Sequence, residues 1–412
     1  MDQKEKQIPL NRELIPIDGM HVDGPRDAVG MIDEDDPARI ARTEILQGRY
    51  PSHERIRIVR PSRRSLERVG ADLLKATDET IAPPPGSGRF FYYLKRALIG
   101  APLANSQAEH ERLTKFKALA VLSSDAISSV AYATESSMGV LILAGTGALT
   151  LILPISIAII ALLAIVALSY SQTIPAYPGG GGSYIVAKDN LGTLPGLIAA
   201  ASLLIDYVLT VSVSVASGVL NLASIDAFRF LSTTPHLEAT VDVALVVIIT
   251  LVNLRGVKDS GSIFSIPTYF FIVSAFLMIG VGLFNAYVIH GQPVINSFQL
   301  INHQTAPVMA PLSIILILRA FASGCSAMTG VEAISNGVPA FKKPEPRNAR
   351  VTLVWMASIL GALFAGITLL TLTYGIGPDP SGNQTVIAQI ASRVFAGPLS
   401  FMFLLFQVGI LL

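Results

Sequence analysis

Charge is what this chain has least of: only 14% of its 412 residues are charged, against 51% hydrophobic, and the mean hydropathy is +0.56. A soluble domain normally carries about a quarter charged residues. The deficit is uneven, because residues 1–117 are polar and almost everything after them is apolar. That contrast reads as a polar arm followed by a membrane domain. Cysteine is nearly absent too. Cys325 stands alone, which excludes a disulfide framework and any cysteine-based metal site and leaves it a small packing residue. Neither sign of charge dominates at a net +1, and the bases lie in the arm and in short loops, so nucleic acid is not an expected partner. No Gly-x-x-x-x-Gly-Lys-Ser/Thr occurs, so ATP is not the direct energy source within this chain. All six histidines fall outside the apolar runs, which argues against an enzyme and against a resident metal or other cofactor. The N-terminus has no short apolar core with a small-residue cleavage site, so the first long apolar segment should itself enter the membrane.

What is present is a series of apolar runs. A spanning helix needs about 20 mostly apolar residues, and eight such runs are predicted at 118–143, 147–171, 194–225, 238–254, 262–289, 308–340, 349–376 and 394–412. The domain organisation follows: an arm over 1–88, largely disordered, an interfacial amphipathic segment over 89–117, and a transmembrane domain of eight spans over 118–412. The arm ends in the linker Pro83-Pro84-Pro85-Gly86-Ser87-Gly88. Upstream of it, Arg55, Arg57, Arg60, Arg63, Arg64 and Arg68 sit among Ile and Val, leaving a small folded or membrane-surface element open. Beyond it, Phe90, Phe91, Tyr92, Tyr93, Lys95 and Arg96 mix aromatics with bases, as interfacial helices do. Lys and Arg mark the cytoplasmic loops. Alternate loops carry twelve bases on one side against two, Arg229 and Arg393, on the other, which predicts a cytoplasmic N-terminus in the cell membrane. The chain stops at Leu412 inside an apolar run, so the fold is expected to be truncated after span 8.

Ionisable groups within apolar spans are costly and mark a pathway or site. Here they fall in spans 1, 3 and 6. Span 1 carries Asp125 among Ser123, Ser124, Ser128 and Ser129, with Tyr132 two turns further on. Span 3 carries Asp206, Thr210 and Ser214 at i, i+4 and i+8, one oxygen-bearing stripe on a helix. Span 6 is interrupted by Ala322-Ser323-Gly324-Cys325-Ser326-Ala327-Met328-Thr329-Gly330 and then carries Glu332. Paired broken spans five apart point to a midplane site in an inverted-repeat transporter. Against this stands the packing role that Ser and Gly usually have in membrane helices, which applies to Ser123, Ser128 and Ser326. Glu135 is expected to cap a helix or line the outer vestibule, and Tyr207 either to anchor or pack or to belong to the site.

At these residues the chain resembles the KimA-type potassium importers, the KUP-like branch of the amino acid–polyamine–organocation (APC) superfamily. The likeness rests on Leu122-Ser123-Ser124-Asp125-Ala126-Ile127-Ser128-Ser129-Val130-Ala131-Tyr132, on Tyr177-Pro178-Gly179-Gly180-Gly181-Gly182-Ser183-Tyr184, on Ile205-Asp206-Tyr207 and on Thr329-Gly330-Val331-Glu332-Ala333. It covers residues 90–412. The resemblance implies an all-α, LeuT-type five-plus-five inverted-repeat fold and a proton-coupled potassium importer. Its cation site would use Asp125, Tyr132, Asp206, Thr210, Ser214 and Thr329, with Glu332 in proton coupling or as a second ion contact. The cargo would be K+ and H+, without a cofactor. Membrane lipid and a small inorganic cation are the partners, and a homodimer the assembly. Asp125 favours a cation over an amino acid, because a bound carboxylate would meet a fixed negative charge. Carboxylate and hydroxyl oxygens suit a hard, partly dehydrated cation. A cationic amine would be welcome there as well, so a proton-coupled amino acid or amine permease remains the alternative.

Overall fold

Lipid offers no partner to a bare amide or carbonyl, so long apolar runs fold as helices whose backbone groups bond within the segment. The computed structural model of this chain follows that rule. It describes residues 42–47, 54–59, 66–68, 74–76 and 88–99, and 112–411 apart from 235, 255, 256, 292, 299–306 and 380–383. Two units divide at Arg89.

The first unit holds two antiparallel hairpins. β1 (Arg42–Gln47) pairs with β2 (Glu54–Val59) so that Arg42 stands opposite Val59, and β3 (Leu66–Arg68) pairs with β4 (Leu74–Ala76). They occupy the Arg-rich, Ile/Val-containing stretch of an arm expected to be largely disordered. The sequence Arg55-Ile56-Arg57-Ile58 alternates with the period of two that a strand requires.

The second unit is all-helical, with an isolated bridge between Leu113 and Phe341. α1 (Gly88–Ile99) leaves Phe90, Phe91 and Tyr93 exposed. α2 (Lys115–Leu122) and α3 (Ser124–Leu141) make the first span, interrupted at Ser123. α4 (Ile152–Ala176) follows, then α5 (Gly182–Leu191), α6 (Thr193–Ala223), α7 (Leu237–Asn253) and α8 (Val257–Phe284). α9 (Ile314–Gly324) gives way to irregular structure before α10 (Glu345–Tyr374). Two further helices are α11 (Val386–Val394) and α12 (Ser400–Leu411).

Among the described residues, five helices are long and apolar enough to cross a membrane by themselves: those at Ser124–Ala144, Thr146–Ala176, Thr193–Ala223, Ser265–Ile289 and Glu345–Tyr374. α9 and α12 are apolar but shorter. The run expected over 394–412 begins later than its hydropathy suggested. Gly397, at φ +71°, and Pro398 interrupt it, and α12 starts only at Ser400.

α3 is the centre of the bundle: 61% of its span is buried, against 11% of α6. It packs on α9 and α10, and α4 packs along α10. Small residues permit these approaches. A methyl group on Gly366 of α10 would fall 2.6 Å from Ile279 of α8, and one on Gly324 would fall 2.1 Å from the Ser137 hydroxyl of α3. That hydroxyl instead donates to the Ala320 carbonyl at 2.9 Å, stitching α3 to α9.

Candidate functional site

The break in the first span is a single residue wide. Ser123 ends α2 at φ −120°, ψ −2°, and α3 restarts at Ser124 with Asp125 in its first turn. A carboxylate there complements the positive end of the helix. Ser128 and Ser129 turn back and donate to the Asp125 carbonyl at 3.0 and 2.8 Å. The sixth segment is broken over a longer stretch. α9 ends at Gly324, a 3-10 turn covers Cys325–Met328, and no helix resumes until Ala333. Gly330 at φ +76° makes the reversal, and a Cβ there would lie 2.9 Å from Asp125 Oδ2. The two breaks therefore touch, at a position that only glycine fits.

A row of hydroxyls runs across this contact. Ser214 of α6 lies 3.4 Å from the Tyr132 hydroxyl, which lies 2.9 Å from Ser129, which lies 2.9 Å from Thr329. Ser129 also reaches the Asp125 carbonyl, and Thr329 the Ser326 carbonyl at 2.9 Å. These are five oxygen–oxygen contacts among four hydroxyl groups, and each hydroxyl has one hydrogen to give. At least one contact must therefore lack a proton. A neutral hydrogen-bond network would avoid that arrangement. A cation shared by the lone pairs would resolve it.

The stripe on α6 faces the same region. Thr210 is buried, while Asp206 and Ser214 are half-buried. Asp125, Asp206 and Glu332 lie within electrostatic range of one another. Among the described residues they do not converge into a cluster able to hold a metal ion by three such side chains. Glu332 is buried, and its Oε1 has no hydrogen-bond partner among the described residues. Its carboxylate lies beside the Tyr207 hydroxyl, which accepts from Asn336 Nδ2 at 2.7 Å. Asn336 in turn meets the glycine-rich loop, where a Cβ on Gly182 would fall 2.2 Å from its Oδ1.

The structure thus joins Tyr132, Ser214 and Thr329 by direct hydroxyl contacts. It sets Asp125 against their breaks, with Asp206 and Glu332 within electrostatic range of it, and leaves Thr210 buried one turn along α6 from Ser214 without a hydrogen bond to the row. Sequence reasoning missed Ser129, the hub of the row. Its spacing was available as a signal, since it stands four residues after Asp125 and three before Tyr132. Asn336 was also missed, and Tyr207 was left open between packing and the site.

At the other end of α3, Glu135 Oε2 accepts from the Val386 amide at 3.1 Å and so caps α11. Thr385 donates to Asn221 Oδ1 at 2.6 Å and its own amide reaches Ser224 at 3.3 Å, which docks the start of α11 on the end of α6.

Residues 113–412 match the family described as Amino acid permease. A curated protein named Potassium transporter KimA, from Bacillus subtilis (strain 168), is 46% identical over 309 residues, 74% of this chain and 48% of that protein. The chain spans about half the length of the curated relative it matches.

Proposed function

Because this chain belongs to the amino acid permease family, we propose that it is a secondary transporter that imports potassium together with protons. The observation that carries this reading is the proton-poor row of Ser214, Tyr132, Ser129 and Thr329 oxygens beside Asp125. Oxygens outnumbering hydrogens next to a fixed negative charge are the requirement of a partly dehydrated cation. The name of the 46%-identical relative supports the same cargo. Glu332, buried with one bare carboxylate oxygen, is the group that carries the coupled proton or contacts a second ion.

The fold proposed is the LeuT-type five-plus-five inverted repeat, with eight spans in this chain. Its support is the meeting of two broken segments, at Ser123 and at Gly330, in the first and sixth spans. The membrane is the cell membrane, with the N-terminus on the cytoplasmic side, as the loop bases favour. A homodimer is the proposed assembly.

The family's own description favours a second reading, an amino acid or amine permease. The geometry weighs against an amino acid, because Asp125 already occupies the helix end that would otherwise receive a substrate carboxylate. Potassium-limited growth of a strain lacking its own importers separates the two. Rescue by this protein that added amino acids do not diminish is the expected result. Uptake of an amino acid that potassium does not compete would replace the first reading with the second.

A further inference from the structure

A second charged feature lies away from the carboxylates, at the start of α10. There a groove of about 340 Å³ is lined by Arg347, Arg350, Val351, Val354 and Trp355. Both arginines are exposed, and among the described residues neither has an ion-pair partner. The carboxylate nearest them in sequence, Glu345, is taken by Arg112. At the Trp355 end the Lys115 Nζ lies 5.5 Å over the indole ring, and the Phe116 ring packs 5.5 Å from the same indole. The groove changes character along the helix. Its first turn is cationic, its next turn is aliphatic, with Val354 51% exposed, and its end is aromatic.

A soluble anion would need only the cationic turn. An aliphatic and indole wall, exposed at Val354 and half-buried at Val351 and Trp355, follows two guanidinium groups along a helix long enough to cross a membrane, which is the polarity profile of a lipid at the edge of a bilayer. Tryptophan is favoured at that depth. Arginine binds phosphate through paired N–H donors. We infer that this groove binds an anionic phospholipid from the leaflet at this end of the bundle. The lipid phosphate sits between Arg347 and Arg350, and an acyl chain lies along Val351, Val354 and Trp355. The inference rests on α10 crossing a bilayer and is independent of which cargo is carried.

Trp355 is the chain's single tryptophan, so its fluorescence reports this groove alone. The chain is reconstituted in phosphatidylcholine vesicles containing brominated phosphatidylglycerol or, in parallel, brominated phosphatidylcholine. The anionic lipid should quench Trp355 about fivefold more effectively at low salt, two bases near a surface giving a preference of that order or more. In the double variant R347Q/R350Q the ratio should fall to about one, while quenching by the zwitterionic lipid stays at the parent's level and shows that the helix is still in place. Equal quenching by the two lipids in the parent, or a preference that survives in the double variant, overturns the inference. So does loss of the preference on adding millimolar glycerol phosphate, which would make this a site for a soluble phosphate.

Discussion

The Ser129 hydroxyl lies 2.9 Å from that of Thr329, bringing together two broken segments two hundred residues apart. Each oxygen has a backbone carbonyl to spend its proton on, that of Asp125 for Ser129 and that of Ser326 for Thr329. With both protons so used, their lone pairs face each other, and Tyr132 has one hydrogen to divide between Ser129 and Ser214. Proton count, more than distance, sets this place apart from the packing serines elsewhere in the bundle.

Replacing Ser129 by alanine removes the hub of the row. A hydrogen bond contributes about 1 kcal/mol net, and roughly two are at stake after the chain relaxes. Half-saturation for potassium should rise about tenfold or more, with the protein inserted at normal levels. Thr329→Ser keeps the oxygen and should stay near the parent. Uptake by S129A indistinguishable from the parent's would remove the row from the ion path.

Gly330→Ala tests the contact of the two breaks. Its φ of +76° costs an alanine about 1–2 kcal/mol, and the new methyl would press on Asp125 Oδ2 at 2.9 Å. Thermal stability in detergent should fall, and potassium uptake should fall further than stability accounts for. Gly139→Ala, on the α3 helix that carries Asp125, meets nothing within 4 Å and is expected to be silent. Equal effects of the two would mean that the cost is general to added methyl groups in the bundle and has nothing to do with Asp125.

Much of this could be read from the sequence, and the reasons differ from residue to residue. Asp125, Asp206 and Glu332 were conspicuous because a carboxylate in an apolar run is expensive. The break in the sixth segment showed as Gly and Ser where Leu and Ile would otherwise stand. Ser129 did not stand out, because its role depends on Thr329, and nothing local names that partner. Tyr207 and Asn336 are likewise defined by each other across 129 positions. The Arg-Ile alternation that forms β2 was noticed, but only as an open possibility of folding within an arm expected to be largely disordered. α11 was read as loop, although Val386, Ile387, Ile390, Ala391 and Val394 repeat at helical spacing behind the cap Thr385.

Orientation can be settled by labelling. Cys325 is the only native cysteine and is half-buried, so Cys325→Ser gives a clean background. A cysteine placed at Arg347 should react only with reagents admitted to the cytoplasm, whereas one at Gln384, just before the cap of α11, should react from outside. Labelling of position 347 by an impermeant reagent in intact cells would invert the topology, and with it the side from which cargo enters.

The three carboxylates divide by role. Asp125→Asn and Asp206→Asn preserve shape while removing charge, so each isolates the electrostatic part of cation binding. A buried carboxylate–cation attraction amounts to several kcal/mol before desolvation, on the order of what separates micromolar from millimolar binding. Both variants should abolish saturable potassium uptake, and Ser128→Ala, whose hydroxyl only caps the Asp125 carbonyl, should weaken it modestly. Glu332 stands apart, its Oε1 bare and its other contact the Tyr207 hydroxyl. If it carries the coupled proton, uptake by the parent rises as external pH falls, because the proton is a co-substrate loaded onto that oxygen. Glu332→Gln cannot gain or lose a proton, so its uptake should be flat with pH, at a rate set by slippage of potassium alone. A Gln variant with the parent's pH profile would move the proton to Asp125 or Asp206. In that case the corresponding Asn variant, assayed for exchange rather than net uptake, should be the one that loses pH dependence.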